Sequence, residues 1–131
     1  MTERLASCTC GQLSARVRGE PLRNSICHCL ACQRRSGGVF AVQARFQAEA
    51  VEVSGRSSEY PRIGDEGTTA RFHFCPVCGD TVYYLMDALP DAVAIPVGAF
   101  ADPDFPPPTV SVYGVRRHAW VQLPPSIEEL D

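Results

Sequence analysis

The segment Phe74-Cys75-Pro76-Val77-Cys78-Gly79 decides how this chain folds. A C-x-x-C turn brings two sulfurs to one point, and the glycine after it can take φ > 0 as the chain doubles back. A redox pair is the competing reading, but no strand followed by a helix start, the setting that lowers a redox thiol's pKa, surrounds this one. Two ligands need two more, because a structural zinc is four-coordinate. Cys8-Thr9-Cys10 supplies them. Taken alone, these two cysteines would pass as small buried residues of a strand, yet strand alternation points both sulfurs to one side. The expected site ties the start of the chain to a hairpin some 65 positions on, and closing so long a loop is where a metal contributes most to folding.

Cys27-His28-Cys29-Leu30-Ala31-Cys32 is different in kind. Three cysteines this crowded cannot easily form disulfides with one another. If residues 27–29 are extended, Cys27 and Cys29 face one way and His28 the other, so His28 is expected to pack or support rather than ligate. Cys29 and Cys32 then meet across one helical turn. Three thiolates leave a fourth position for water or substrate, unless His73, His118 or Asp80 fills it and makes a second structural site. An open three-thiolate zinc is a poor Lewis acid for water and a good host for a soft ligand. A bound thiol would be deprotonated near neutral pH and held as a nucleophile, so chemistry at a thiol's sulfur is favoured over hydrolysis.

The remaining sequence sets the bounds. At 131 residues the chain is expected to form one domain, 1–131, with a modest core that metal sites would reinforce. The first residues lack the apolar run of a secretory signal, and the longest apolar stretch, 92–101, is broken by Pro96 and Gly98. A cytoplasmic protein with reduced, metal-bound cysteines and no membrane partner is the expectation. The net charge of −3 becomes more negative once seven thiolates hold two zinc ions, which argues against nucleic acid as a partner. All twelve basic residues are arginine, the side chain suited to planar carboxylate recognition. Arg34 and Arg35, just past Cys32, are the candidates for substrate binding, with a solvated surface pair as the alternative.

Periodicity predicts β-structure. Leu13, Ala15 and Val17 alternate with Ser14, Arg16 and Arg18, while Phe40, Val42, Ala44 and Phe46 alternate with Ala41, Gln43 and Arg45. Further short strands are predicted at 51–53, 70–74, 81–85, 92–97 and 110–115. Helix is limited to a turn or two at 29–35. The Pro-Asp-Phe-Pro-Pro-Pro stretch 103–108 is a stiff connector, since proline cannot donate to a ladder. The acidic ending 128–131 is expected to be a solvated terminus.

In order along the chain stand C-x-C, then C-H-C-x-x-C followed by Arg34, Arg35, Ser36 and Gly37, then Phe-Cys-x-x-Cys-Gly, and a basic stretch with Trp120. This pattern, over about 8–120, resembles the glutathione-dependent formaldehyde-activating family. The resemblance implies an all-β fold, a β-tent of stacked antiparallel sheets with zinc at strand ends. It implies Cys8, Cys10, Cys75 and Cys78 on a structural zinc, and Cys27, Cys29 and Cys32 on a catalytic one. The activity it implies is that of a carbon–sulfur lyase adding glutathione to formaldehyde. The chain departs from the pattern at Asp80, where many relatives carry Ser, and at Ser111, where many carry His; both bear on substrate more than fold. A zinc-stabilised binding module without catalysis is the alternative function.

Overall fold

The computed structural model describes residues 2–130. Its strands are β1 (Glu3–Ser7), β2 (Ser14–Arg18), β3 (Arg23–Cys27), β4 (Ala41–Gln47), β5 (Val51–Ser54), β6 (Ser58–Ile63), β7 (Thr69–Phe74), β8 (Thr81–Met86), β9 (Leu89–Pro96), β10 (Val110–Val112) and β11 (Glu128–Leu130). The one α-helix described, α1, spans Leu30–Ser36. The fold is all-β, in two sheets. Strands β1-β2-β5 form the small sheet, and the large one runs β11-β10-β3-β4-β9-β8-β7-β6.

Alternation builds the small sheet as predicted. Ala15 and Val17 are fully buried, while Arg16 and Arg18 between and beyond them face solvent. Ala6, Leu13, Ala15 and Val17 meet Phe46, Val82, Val93 and Ile95 of the large sheet. Phe100 and Phe105 close this core, stacked on each other at 4.9 Å. They come from the chain between β9 and β10, the segment that holds the prolines.

The large sheet is covered on its other face as well. Phe72, Tyr84 and Ala94 pack together there, and Cys27, Cys32 and Ala41 form a second small cluster. Burial on both faces explains the unbroken apolar run Ala92-Val93-Ala94-Ile95 in β9. It also alters the expected pattern in β4. Ala44 and Phe46 are buried in the main core, but Ala41 is buried too and Val42 only half so, because Ala41 packs on the cysteines of the opposite face.

Strand β10 runs parallel to both β3 and β11, whereas every other pairing is antiparallel. The long connector from β9 allows this, since a parallel neighbour cannot be reached by a hairpin. The strand expected at 110–115 stops at Val112, where Tyr113 turns into the left-handed region at φ 56°. The expected solvated ending is corrected for 128–130, which pair with β10 although their side chains remain exposed. Asp131 lies outside the described residues. Strand β6 was not foreseen, because its sequence Ser-Glu-Tyr-Pro-Arg-Ile lacks apolar alternation and carries a proline that only an edge strand tolerates. No helix among the described residues is long and apolar enough to cross a membrane.

Gly55, just past β5, sits where no other residue fits. Its φ is 96°, and a Cβ there would lie 1.8 Å from the carbonyl oxygen of Gln12. Gly55→Ala is therefore expected to destabilise the fold by about 2 kcal/mol or more, through strain and steric clash. Gly98→Ala, exposed with nothing within 4 Å of the new Cβ, should change stability by less than about 0.5 kcal/mol. Urea denaturation of both variants measures the difference.

Candidate metal centres

The sulfurs of Cys8, Cys10, Cys75 and Cys78 all lie within 4.8 Å of one another. Cys10 Sγ is 3.6 Å from both Cys8 Sγ and Cys75 Sγ. A disulfide would need about 2 Å, whereas four thiolates bound tetrahedrally at zinc–sulfur lengths stand about 3.8 Å apart. The donor set fits zinc. Cys8 and Cys10 do not lie on a strand as expected: β1 ends at Ser7, and the chain turns back through residues 8–11. The turn aims both sulfurs at the knuckle, which a straight strand at this place would not do. In the knuckle the Cys75 N–H donates to the Asp80 carbonyl at 2.9 Å and the Gly79 N–H to the Cys75 carbonyl at 2.8 Å, with Gly79 at φ 86°.

Two side chains fasten these loops together. The Asp80 carboxylate accepts from the Thr9 hydroxyl and from the Thr9 N–H at 2.7 Å, and both hydrogen bonds hold its carboxyl below the usual range. Gln12 donates to Cys75 Sγ at 3.0 Å and to the Arg56 carbonyl at 2.8 Å, and accepts from the Arg56 N–H at 3.0 Å. Burial pushes the Cys75 thiol up, but the Cys78 N–H, the Gln12 amide and the Val77 N–H outweigh it and bring the pKa to about 6. Such a sulfur is ready to act as a thiolate ligand.

Cys27, Cys29 and Cys32 form the second cluster, again with sulfurs within 4.8 Å. Cys27 ends β3, held between Ala41 of β4 and Val112 of β10. Cys29 caps α1, its sulfur accepting from the Cys32 N–H at 3.3 Å. Cys32 is pulled down to a pKa of about 5, first by its hydrogen bond with Cys27, against burial, and then by Cys29, Arg35 and Arg62; Cys27 is pushed up by the same contact with Cys32. The trio thus gathers negative charge and shares protons unevenly.

None of the three candidates for a fourth ligand joins it. Asp80 is engaged at the other centre. His73 bonds Ser57 at 2.8 Å and stacks on Tyr83, on the face of β7 opposite to Phe72. His118 reaches only the Gln33 amide oxygen, at 3.2 Å. His28 is fully buried, with Nε2 3.1 Å from Ser111 Oγ and its backbone N–H donating to the Val112 carbonyl at 3.1 Å. Ser111 is therefore the direct partner of the histidine between the two cysteines. Gln33 of α1 donates to the His28 and Arg116 carbonyls and so pins the helix beside β10.

The two arginines after Cys32 separate. Arg35 lies over the rings of Phe72 at 4.9 Å and Tyr84 at 5.6 Å, on the cysteine side of the sheet, while Arg34 is exposed. Arg62 of β6 also lies over the Phe72 ring, at 5.0 Å. Arg62 has no signal in the sequence, because pairing register brings it here. A cleft of about 980 Å³ is lined by Thr9, Asp80, Arg35 and the proline-rich connector, but by none of the three cysteines. The one cysteine of this cleft, Cys8, belongs to the four-cysteine cluster, and the cysteine trio lies apart from it.

The chain matches, over residues 3–116, the family described as glutathione-dependent formaldehyde-activating enzyme. Among solved structures it is similar to the crystal structure of a Rhodobacter sphaeroides protein from structural genomics, with a TM-score of 0.58 and 23% identity, over 79% of this chain and 91% of that one. That likeness is one of fold. No curated protein matches the chain.

Two metals held in four-cysteine and three-cysteine sites should differ in lability. Elemental analysis is expected to find up to two zinc ions under reducing conditions, with mild chelation removing one before the other. Cys75→Ser should prevent stable folding, since structural zinc couples to folding by roughly 10 kcal/mol, whereas Cys32→Ser should leave a folded protein. Equal thermal destabilisation by both would show that both sites are structural.

Proposed function

The chain belongs to the glutathione-dependent formaldehyde-activating enzyme family, and from that membership we propose that it is a zinc-dependent carbon–sulfur lyase. It would join glutathione to formaldehyde, giving S-hydroxymethylglutathione, and reverse the step, in the reducing cytoplasm where its thiols stay free. The observation that carries this reading is the convergence of Cys27, Cys29 and Cys32 with no fourth ligand atom among the described residues. Cys8, Cys10, Cys75 and Cys78 would hold a structural zinc. Zinc at the three-cysteine site would supply the charge that makes a bound thiol a thiolate near neutral pH.

The chain's own residues would do the rest. Arg35, stacked over Phe72 and Tyr84, keeps a cation beside Cys32 and would meet a carboxylate of the thiol as a planar fork. Arg34, exposed at the rim, would contribute only to attraction at a distance. The Tyr113 phenol is pushed up by burial and by Glu66, Cys27 and Cys29, so it stays protonated and would donate to the formaldehyde oxygen as that oxygen gains charge. The electrons and protons balance without an oxidant. A sulfur lone pair forms the carbon–sulfur bond, the carbonyl π pair moves to oxygen, and oxygen takes up one proton in place of the one the thiol released. Holding both partners together supplies the remaining acceleration.

Exchange between formaldehyde and S-hydroxymethylglutathione, followed by NMR at equilibrium, tests the proposal. The protein should speed exchange over buffer, modestly because the uncatalysed addition is already feasible. Cys27→Ser should return it to the buffer rate, and Tyr113→Phe should lower the protein-dependent part about 10-fold or more. If wild type matches buffer and glutathione leaves a cobalt-substituted protein's spectrum unchanged, the lyase reading fails and a zinc-stabilised binding module replaces it.

A further inference from the structure

The three sulfurs of the trio are carried by two different elements. Cys27 ends β3, where pairing with Ala41 and Val112 fixes it. Cys29 caps α1, and Cys32 lies in the first turn of that helix. Only His28 stands between the last strand residue and the cap. The backbone has two soft torsions per residue, so the angle at which the helix leaves the sheet, with two of the three sulfurs, is set by the torsions of His28 and Cys29. Whatever immobilises His28 therefore governs whether the sulfurs converge.

His28 is tethered through its backbone and through its ring. The backbone N–H donates to the Val112 carbonyl at 3.1 Å, and the backbone carbonyl accepts from the Gln33 side-chain amide at 2.8 Å. The imidazole is fully buried and meets Phe40 edge-on, with 6.2 Å between ring centroids. Nδ1 has no hydrogen bond among the described residues. Nε2 stands 3.1 Å from Ser111 Oγ, so this hydroxyl is the one polar partner of the ring there. A hydroxyl can complete the contact as donor or acceptor, whichever tautomer the imidazole adopts. Ser111 is itself buried and is registered with Ile26, one residue before Cys27. Alternation therefore puts its side chain on the opposite face of the sheet from Cys27.

Resting on the reading of the trio as a metal centre, we infer that Ser111 is a positioning residue for that centre. It locks the His28 ring behind the sheet, and the locked ring holds the strand-to-helix turn in which the sulfurs of Cys27 and Cys29 meet that of Cys32. A buried ring with one nitrogen already unpaired cannot lose its other partner without a penalty, and a shift of the turn is the way to relieve it. The backbone tethers would survive that shift only in part, because Gln33 rides on the helix being displaced. The effect falls on the affinity of the three-cysteine site and not on its ligand set. The four-cysteine cluster, held by Thr9, Gln12 and Asp80, shares none of these contacts and serves as the control within the same molecule.

Cobalt titration of the full chain under reducing conditions tests this, with the thiolate-to-cobalt absorption read at each equivalent. Wild type should take up two, the first at the four-cysteine cluster. Ser111→Ala should bind the first as wild type does and the second about 10-fold more weakly or worse. In a His28→Phe background the same Ser111→Ala change should alter the second affinity by less than about 2-fold, because the imidazole through which the hydroxyl acts is gone. Three results would overturn the inference and leave the metal centre standing. These are wild-type affinity for the second cobalt in Ser111→Ala, equal weakening of both equivalents, or an undiminished Ser111→Ala effect in the His28→Phe background. A wild type that takes up only one cobalt would overturn both.

Discussion

The convergence of four sulfurs, from the turn after β1 and from the β7–β8 knuckle, is the contact on which the architecture depends. The core between the sheets mixes Ala6, Ala15, Ala44, Val17, Val82 and Val93 with Leu13, Phe46, Ile95, Phe100 and Phe105. The small residues among them bury little apolar area each. A bound metal here would fix two loops 65 positions apart and so remove much of the freedom of the unfolded chain. Gln12 extends the same constraint to a third segment, because one amide serves Cys75 Sγ and both backbone groups of Arg56. Gly55 must be glycine for that segment to come so close. Asp80 belongs to this same fastening, so its departure from the family pattern bears on the clamp through Thr9 and not on the second cysteine cluster.

With one face of the large sheet committed to that core, the other is free for chemistry. Strands β3, β4, β8 and β9 each contribute to both sides, which is why Ala94 stands against Tyr84 while its neighbours Val93 and Ile95 join the main core. Helix α1 crosses the second face, carrying Cys32 and Arg35 into it, and Gln33 holds the helix to the β10 side through the His28 and Arg116 carbonyls. The sulfurs of the trio are thereby set on a rigid sheet end and a capped helix. A reactive constellation needs such support if it is to keep its geometry when a ligand arrives.

Charge is distributed with the same division. The chain is acidic in total, yet Arg23, Arg35, Arg45 and Arg62 collect on the cysteine face with no ion pair to a carboxylate among the described residues. Cation–π contact with Phe72 and Tyr84 offsets part of the cost for Arg35 and Arg62. Arg23 and Arg45 have no such aromatic partner, so the repulsion between them is the least compensated feature of the sheet. The cysteines gathered beside them, Cys32 above all, give this field a counter-charge.

Much of this was legible in the sequence, for definite reasons. Cysteine spacing foretold which sulfurs would gather, because C-x-x-C and C-x-C constrain geometry over a few bonds. Alternation gave away β2, with one face in the main core. It misled in β4, where a second buried face breaks the period, and was silent for β6, an edge strand with little to bury. What only the tertiary structure decided are relations between strands. Register sets Arg23 against Arg45 and brings Arg62 over Phe72; the left-handed turn at Tyr113 ends β10; and the parallel entry of β10 places Ser111 on His28. None of these follows from local composition. Each depends on which strand lies beside which, and that is settled by burying the whole chain at once.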